Sequence, residues 1–113
     1  MGRLDNDSWL YPGDSLVSEN GSNEFKMQED GKICIYWEGD CVWQNTEDQR
    51  DDIKGIHLQE DGNFVLYTHD DEAVWASDTC DHGDSVYLAV QDDGNVVLYK
   101  DDDEAIWATA TNQ

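Results

Sequence analysis

The sequence predicts an all-β protein, a three-sided prism of three similar sheets with pseudo-threefold symmetry. Three observations predict it: a motif that recurs about every 32 residues, apolar–polar alternation on both sides of that motif, and an Asp-Gly or Glu-Asp-Gly turn signal at its centre. Gln28, Gln59 and Gln91 are 31 and 32 residues apart, and Trp43, Trp75 and Trp107 follow at intervals of 32. A chain of 113 residues has room for one domain with one core. Residues 1–113 therefore read as a single domain, with repeats around 24–46, 55–78 and 87–110.

The first repeat carries Met27-Gln28-Glu29-Asp30-Gly31-Lys32-Ile33-Cys34-Ile35-Tyr36 and then Trp43. In the second, Ile56 and Leu58 alternate with His57 and Gln59, the period of a half-buried strand. Glu60-Asp61-Gly62-Asn63 then turns the chain, because glycine accepts positive φ and aspartate bonds its own backbone. Phe64 and Leu66 face one way after the turn, Val65 and Tyr67 the other. A second turn at Thr68-His69-Asp70-Asp71 leads into Ala73-Val74-Trp75. The third repeat follows the same plan, with Val86, Leu88 and Val90 against Tyr87, Ala89 and Gln91, then Asp92-Asp93-Gly94-Asn95, Val96 to Tyr99, and Ala105-Ile106-Trp107. Three sheets with one apolar face each bury those faces only against one another. Phe25, Met27, Ile33, Ile35, Leu58, Phe64, Leu66, Leu88, Val90, Val96 and Leu98 are expected to fill the centre, with the three repeated tryptophans meeting near the axis.

Composition excludes several function classes. The net charge is −21, from 27 acidic and 6 basic residues. That balance argues against nucleic acid, whose binding needs basic side chains to release counterions, and against an anionic membrane surface. Twelve aromatic residues (5 Trp, 5 Tyr, 2 Phe) weigh against the disorder that high charge can bring. No apolar run approaches the roughly 18 residues that span a bilayer, and Met1-Gly2-Arg3-Leu4-Asp5 opens no signal-like stretch. The compartment stays open between the cytoplasm and a mature secreted form. Cys34, Cys41 and Cys80 allow at most one internal bridge, a Cys41–Cys80 pairing being compatible with the sequence but unsupported by it. There is no Cys-x-x-Cys pair, and His57, His69 and His82 lack ligand spacing, so neither a metal nor another cofactor is expected.

The residues left on the outer face are Gln59, Asp61, Asn63, Val65 and Tyr67, repeated as Gln91, Asp93, Asn95, Val97 and Tyr99. On one flat strand the ends of such a row would lie ~27 Å apart. The hairpin turn folds the row back, so that five side chains can surround one small object. Their chemistry suits a neutral polyol: carboxylates accept, amides donate and accept, the phenol offers a hydroxyl, and valine offers an apolar contact for ring C–H groups.

The pattern Gln-x-Asp-x-Asn-x-Val-x-Tyr resembles the signature of the bulb-type mannose-binding lectins, the snowdrop-agglutinin family. The resemblance runs over roughly residues 5–113 and includes the segments Trp-Ala-Ser-Asp-Thr starting at Trp75 and Trp-Ala-Thr-Ala-Thr starting at Trp107. It implies a β-prism II fold of three four-stranded antiparallel sheets, a terminal mannose or oligomannose ligand on glycans or glycoproteins, and no metal. By that likeness Asp61, Asn63, Asp93 and Asn95 bond the axial 2-hydroxyl, Gln59 and Gln91 the 3-hydroxyl, and Tyr67 and Tyr99 the 4-hydroxyl, while Val65 and Val97 pack on the ring carbons. The family commonly dimerises by exchanging C-terminal strands, which leaves open a homodimer through Trp107–Thr111, opposed by the charge of the two chains.

Two departures qualify the likeness. In the first repeat Gln28, Asp30 and Tyr36 match, but Lys32 replaces Asn and Cys34 replaces Val, which marks a degenerate site. Lysine donates without accepting, and its ammonium can instead pair with Asp30 and fill the pocket. Family members often carry a cysteine where Gly31 stands, bridged into the next repeat; residues 50–56 hold no cysteine, so that disulfide is missing. The competing readings are a β-prism that binds protein rather than sugar, a calcium site at Asp92, Asp93, Asn95 and Asp101 to Asp103 without the spacing of a calcium loop, and a glycosidase. Symmetry-repeated acids in exposed turns lack the unequal environments that a catalytic pair needs, so no enzyme is expected.

Overall fold

A computed structural model describes residues 2–45, 49–79, 85–100, 103–109 and 111. Among these, twelve strands form three four-stranded antiparallel sheets. The first holds β3 (Ser15–Val17), β4 (Asn23–Met27), β5 (Ile33–Trp37) and β6 (Asp40–Gln44), in that order. The second runs β2 (Trp9–Leu10), β7 (Ile53–Leu58), β8 (Phe64–Thr68), β9 (Ala73–Ala76), and the third β1 (Arg3–Leu4), β10 (Tyr87–Val90), β11 (Val96–Tyr99), β12 (Ala105–Ala108). This is the all-β, three-sheet architecture that the repeat implies. β12 pairs with β11 of its own chain, with Val97 opposite Ala108 and Leu98 opposite Trp107.

Each repeat supplies three strands of a sheet, and the N-terminal segment supplies the fourth to all three. β1 goes to the third sheet, β2 to the second and β3 to the first. Backbone bonds tie this strap in at equivalent points: Val90 N to Gly2 O (2.6 Å), Leu58 N to Ser8 O (3.0 Å) and Met27 N to Asp14 O (3.0 Å). Leu4, Leu10 and Leu16 turn inward, one per strap strand, and join the core. No repeat motif marks these strands in the sequence, because two or three residues are too few to show a period.

The core contains every residue expected there, together with Leu4, Leu10, Leu16, Ile53, Ile56 and Val86. Phe25 and Phe64 pack with ring centroids 5.8 Å apart. Trp43, Trp75 and Trp107 close the axis edge to face at 6.4, 6.4 and 5.8 Å, geometry that sets ring edges against electron-rich faces. Cys34 is buried, Cys41 is exposed and both are free thiols; Cys80 and His82 lie outside the described residues. Burial, followed by the neighbouring Cys41, pushes the Cys34 thiol up to about 11. Among the described residues no buried side-chain nitrogen or oxygen lacks a hydrogen-bond partner.

Candidate functional site

The three central hairpins share one turn. In the second sheet Gln59 N donates to Asn63 O (2.8 Å) and Gly62 N to Gln59 O (3.0 Å). The third repeats this with Gln91, Asn95 and Gly94, at 2.9 and 3.0 Å. The glycines make the loop close: Gly31, Gly62 and Gly94 have φ of 88, 90 and 91°, a region that L side chains rarely occupy. Gly94 is also a point of close approach, since a Cβ there would stand 2.7 Å from Trp37 Nε1.

These turns gather each outer row. Gln59 Nε2 donates to the Tyr67 hydroxyl, and Gln91 Nε2 to that of Tyr99, so the two ends of each row meet. The strand after the tyrosine helps to aim it. A register shift falls at the same place in every sheet, at Ile35/Tyr36, Leu66/Tyr67 and Leu98/Tyr99. Asp61 Oδ1 accepts from Asn63 N (3.0 Å), and Asp93 Oδ1 from Asn95 N (2.9 Å), leaving the second carboxylate oxygen of each as an exposed acceptor.

The asparagines are oriented by residues to which sequence reasoning gave no role. Asn63 Oδ1 accepts from Ser77 Oγ (3.3 Å) and Thr79 N (3.1 Å). Thr79 Oγ1 donates to Gly62 O (2.7 Å), which clamps the turn as well. The third sheet duplicates the device: Asn95 Oδ1 accepts from Thr109 Oγ1 (3.3 Å) and Thr111 N (3.2 Å), and Thr111 Oγ1 donates to Gly94 O (2.7 Å). With its oxygen held, each asparagine has its amide N–H groups to offer outward. The repeated Trp-Ala-Ser/Thr-x-Thr was the available signal. Val65 and Val97 stand on the outer face but are only 3 % exposed, forming a floor rather than a projecting patch. Their cross-strand neighbours, His57 and Ala76 for Val65 and Ala89 and Ala108 for Val97, flank them on either side.

The first repeat is wired differently. Lys32 does not pair with Asp30 through its side chain. Its Nζ donates to Gln44 Oε1 (3.2 Å) on the adjoining strand, while its backbone N donates to Asp30 Oδ1 (3.1 Å). Gln49 Nε2 reaches Asp30 Oδ2 (3.4 Å), so both carboxylate oxygens are engaged. Gln28, oriented to satisfy its neighbours, accepts from Tyr36 and donates to Asp30 (3.1 Å). Cys34 takes the floor position, 2 % exposed. Burial raises the Tyr36 phenol above its ordinary value, helped by Cys34 and Cys41. Glu47 stands where Thr79 and Thr111 stand in the other repeats; it lies outside the described residues.

Among the described residues no group of three or more His, Cys, Asp or Glu is placed to hold a metal ion. Asp101 and Asp102 of the oxygen-rich stretch lie outside them.

No protein-family model matches the sequence, and no curated protein does. Solved structures do match. A monomeric monocot mannose-binding lectin from Gastrodia elata superposes with a TM-score of 0.86 at 34 % identity, covering 100 % of both chains. The Marasmius oreades lectin gives 0.86 at 29 % identity, over 97 % of this chain and 91 % of that one. The mannose-specific agglutinin of snowdrop (Galanthus nivalis) bulbs, complexed with methyl-α-D-mannoside, gives 0.77 at 29 % identity over 100 % and 99 %.

Proposed function

The chain belongs to the bulb-type mannose-binding lectins, and from that premise we propose that it binds terminal mannose, alone or on oligomannose glycans, through the rows of its second and third sheets. The observation that carries the reading is the matched wiring of those two rows. In each, the Asn oxygen is tied back by a Ser or Thr and a second Thr, and the Gln amide rests on the Tyr hydroxyl.

An axial hydroxyl between Asp61 and Asn63 donates to the carboxylate and accepts from the amide N–H, and Asp93 and Asn95 offer the same pair. Tyr67 and Tyr99 accept from glutamine and keep a proton to donate, while the Gln oxygens accept from a neighbouring hydroxyl. Val65 and Val97 floor the pocket beneath the ring carbons. The first row has its carboxylate and glutamine spent internally and contributes no site. Binding is all the chemistry these groups supply; no step of catalysis is assigned to them.

Affinity for one hexose is weak, because hydroxyls exchange water bonds for protein bonds at small net gain. Millimolar dissociation corresponds to about −4 kcal/mol. Calorimetric or NMR titration with methyl α-mannoside is expected to give two sites per chain. Asn63→Ala and Asn95→Ala each reduce this to one and the double variant to none, while methyl galactoside does not bind. Unchanged mannoside binding in the double variant rejects both sites. No mannoside binding by the folded parent leaves the prism as a protein-binding module.

A further inference from the structure

The two intact rows match internally but differ in what adjoins them. In the second sheet Trp9 on β2 lies opposite His57 on β7, and His57 lies opposite Val65, the floor of the row. The Trp9 and His57 rings stack at 4.4 Å and 5°, and Tyr11 continues the parallel series at 5.8 Å and 4°. Trp9 also approaches Tyr67, at 5.9 Å. The series fits because the residue opposite Tyr67 is Gly55, where a Cβ would stand 3.2 Å from Tyr11 Cδ1 and 3.3 Å from Trp9 Cε3. His57 Nε2 is held by Asp7 Oδ1 (2.9 Å), and Lys54 Nζ, 5.0 Å from the Trp9 ring centre, donates to Asp71 Oδ1 (3.1 Å). These groups bound a shallow depression of about 360 Å³ lined by Trp9, His57, Gln59, Tyr67 and Asp71.

The third sheet is built differently: a depression of about 340 Å³ lies against Arg3, Ala89, Gln91 and Asp92, without aromatic walls, and the side next to the tyrosine is occupied. Tyr87 stands opposite Tyr99, where the second sheet has Gly55, and stacks on it at 5.6 Å. Its hydroxyl donates to Asp103 Oδ1 (2.8 Å), and the Arg3 guanidinium covers its ring at 3.9 Å. In the first sheet Lys26 and Glu24 flank Cys34 and Tyr36.

We infer that the row of the second sheet continues into an aromatic subsite for the next hexose of a glycan, made by Trp9, His57 and Asp71; the third row has Arg3 and Ala89 where the second has Trp9 and His57. The inference rests on the mannose reading above and deepens it. Gln59 and Tyr67 are shared by the row and the depression, so a sugar attached to a hexose in the row is carried directly onto the aromatic side. There its C–H groups meet Trp9 and His57, and Asp71, exposed and anchored by Lys54, accepts from a hydroxyl.

The test uses the full chain carrying Asn95→Ala, so that only the second row reports. Methyl α-mannoside and the α-linked dimannosides are titrated by NMR or calorimetry. The best dimannoside is expected to bind roughly tenfold tighter than methyl mannoside. Adding Trp9→Ala removes that advantage and leaves methyl mannoside binding unchanged. Asp71→Gly, whose backbone φ of 64° glycine tolerates, lowers it partway and guards against a Trp9 variant that does not fold. Equal affinities for dimannoside and methyl mannoside, or an advantage that survives both substitutions, overturn the subsite while leaving the mannose site standing. Failure of methyl mannoside itself to bind overturns the mannose reading and the subsite together.

Discussion

At the scale of single residues, the candidate site depends on side chains outside the two rows. Thr79 holds Gly62 O through its hydroxyl and Asn63 Oδ1 through its backbone N, so it fixes both the turn and the amide. Thr79→Val, which removes the hydroxyl's bonds to Gly62 O and Ser77 Oγ, is expected to weaken methyl mannoside binding at the second row by roughly three- to tenfold, the equivalent of about 1 kcal/mol. Binding at the third row stays unchanged, and Thr79→Ser restores the second. Separate NMR titration of Tyr67 and Tyr99 resonances checks this, since a general loss of stability would move both rows together. The facing residues themselves were legible in the sequence, because a fivefold pattern recurs in phase. Their supports were not, because a serine or threonine after a strand reads as an ordinary turn residue until its partner is known. Lys32 shows the same limit: its charge suggested Asp30, but the neighbouring strand brings Gln44 within reach instead.

At the scale of elements, the hairpins were legible and the strap was not. Alternation and Asp-Gly turns mark β7, β8, β10 and β11, since each runs four to six residues and sends alternate apolar side chains into the core. β1 and β2, two residues each, acquire their identity only from the strands they pair with. The turns also act as packing joints between sheets. Gly94 has φ of 91°, and a Cβ there meets both Trp37 Nε1 (2.7 Å) and Thr111 O (3.0 Å). Gly21 has φ of 77° with nothing within 4 Å of such a Cβ. Gly21→Ala therefore carries backbone strain alone, about 1 kcal/mol or somewhat more, and Gly94→Ala adds the clash for a total of about 2–4 kcal/mol. Thermal melts of the two variants are expected to rank in that order. Equal melting temperatures would show that Trp37 yields without cost.

At the scale of the whole molecule, charge sets the conditions for stability and for assembly. A net charge of −21 is confined within 34 × 33 × 20 Å. At about 0.01 M salt the screening length is ~30 Å, comparable to the molecule, so acidic groups on opposite faces repel one another. At about 1 M it is ~3 Å and only near neighbours interact. The melting temperature is expected to rise steadily over that range of sodium chloride, and a flat or falling curve would contradict self-repulsion as a major destabilising effect. The same repulsion opposes any pairing of two chains at low salt. On the mannose reading proposed above, two rows on separate sheets of one prism let a single chain engage two glycan branches, which multiplies weak contacts without a second subunit.

The strap that lends one strand to every sheet has a consequence for how the molecule comes apart. A three-part chain invites the picture of modules that could be lost, copied or swapped singly. Here no third is complete by itself, because each borrows its outermost strand from the same short N-terminal ribbon. Peeling that ribbon away opens a raw edge on all three sides at once, so both rows stand or fall in a single event.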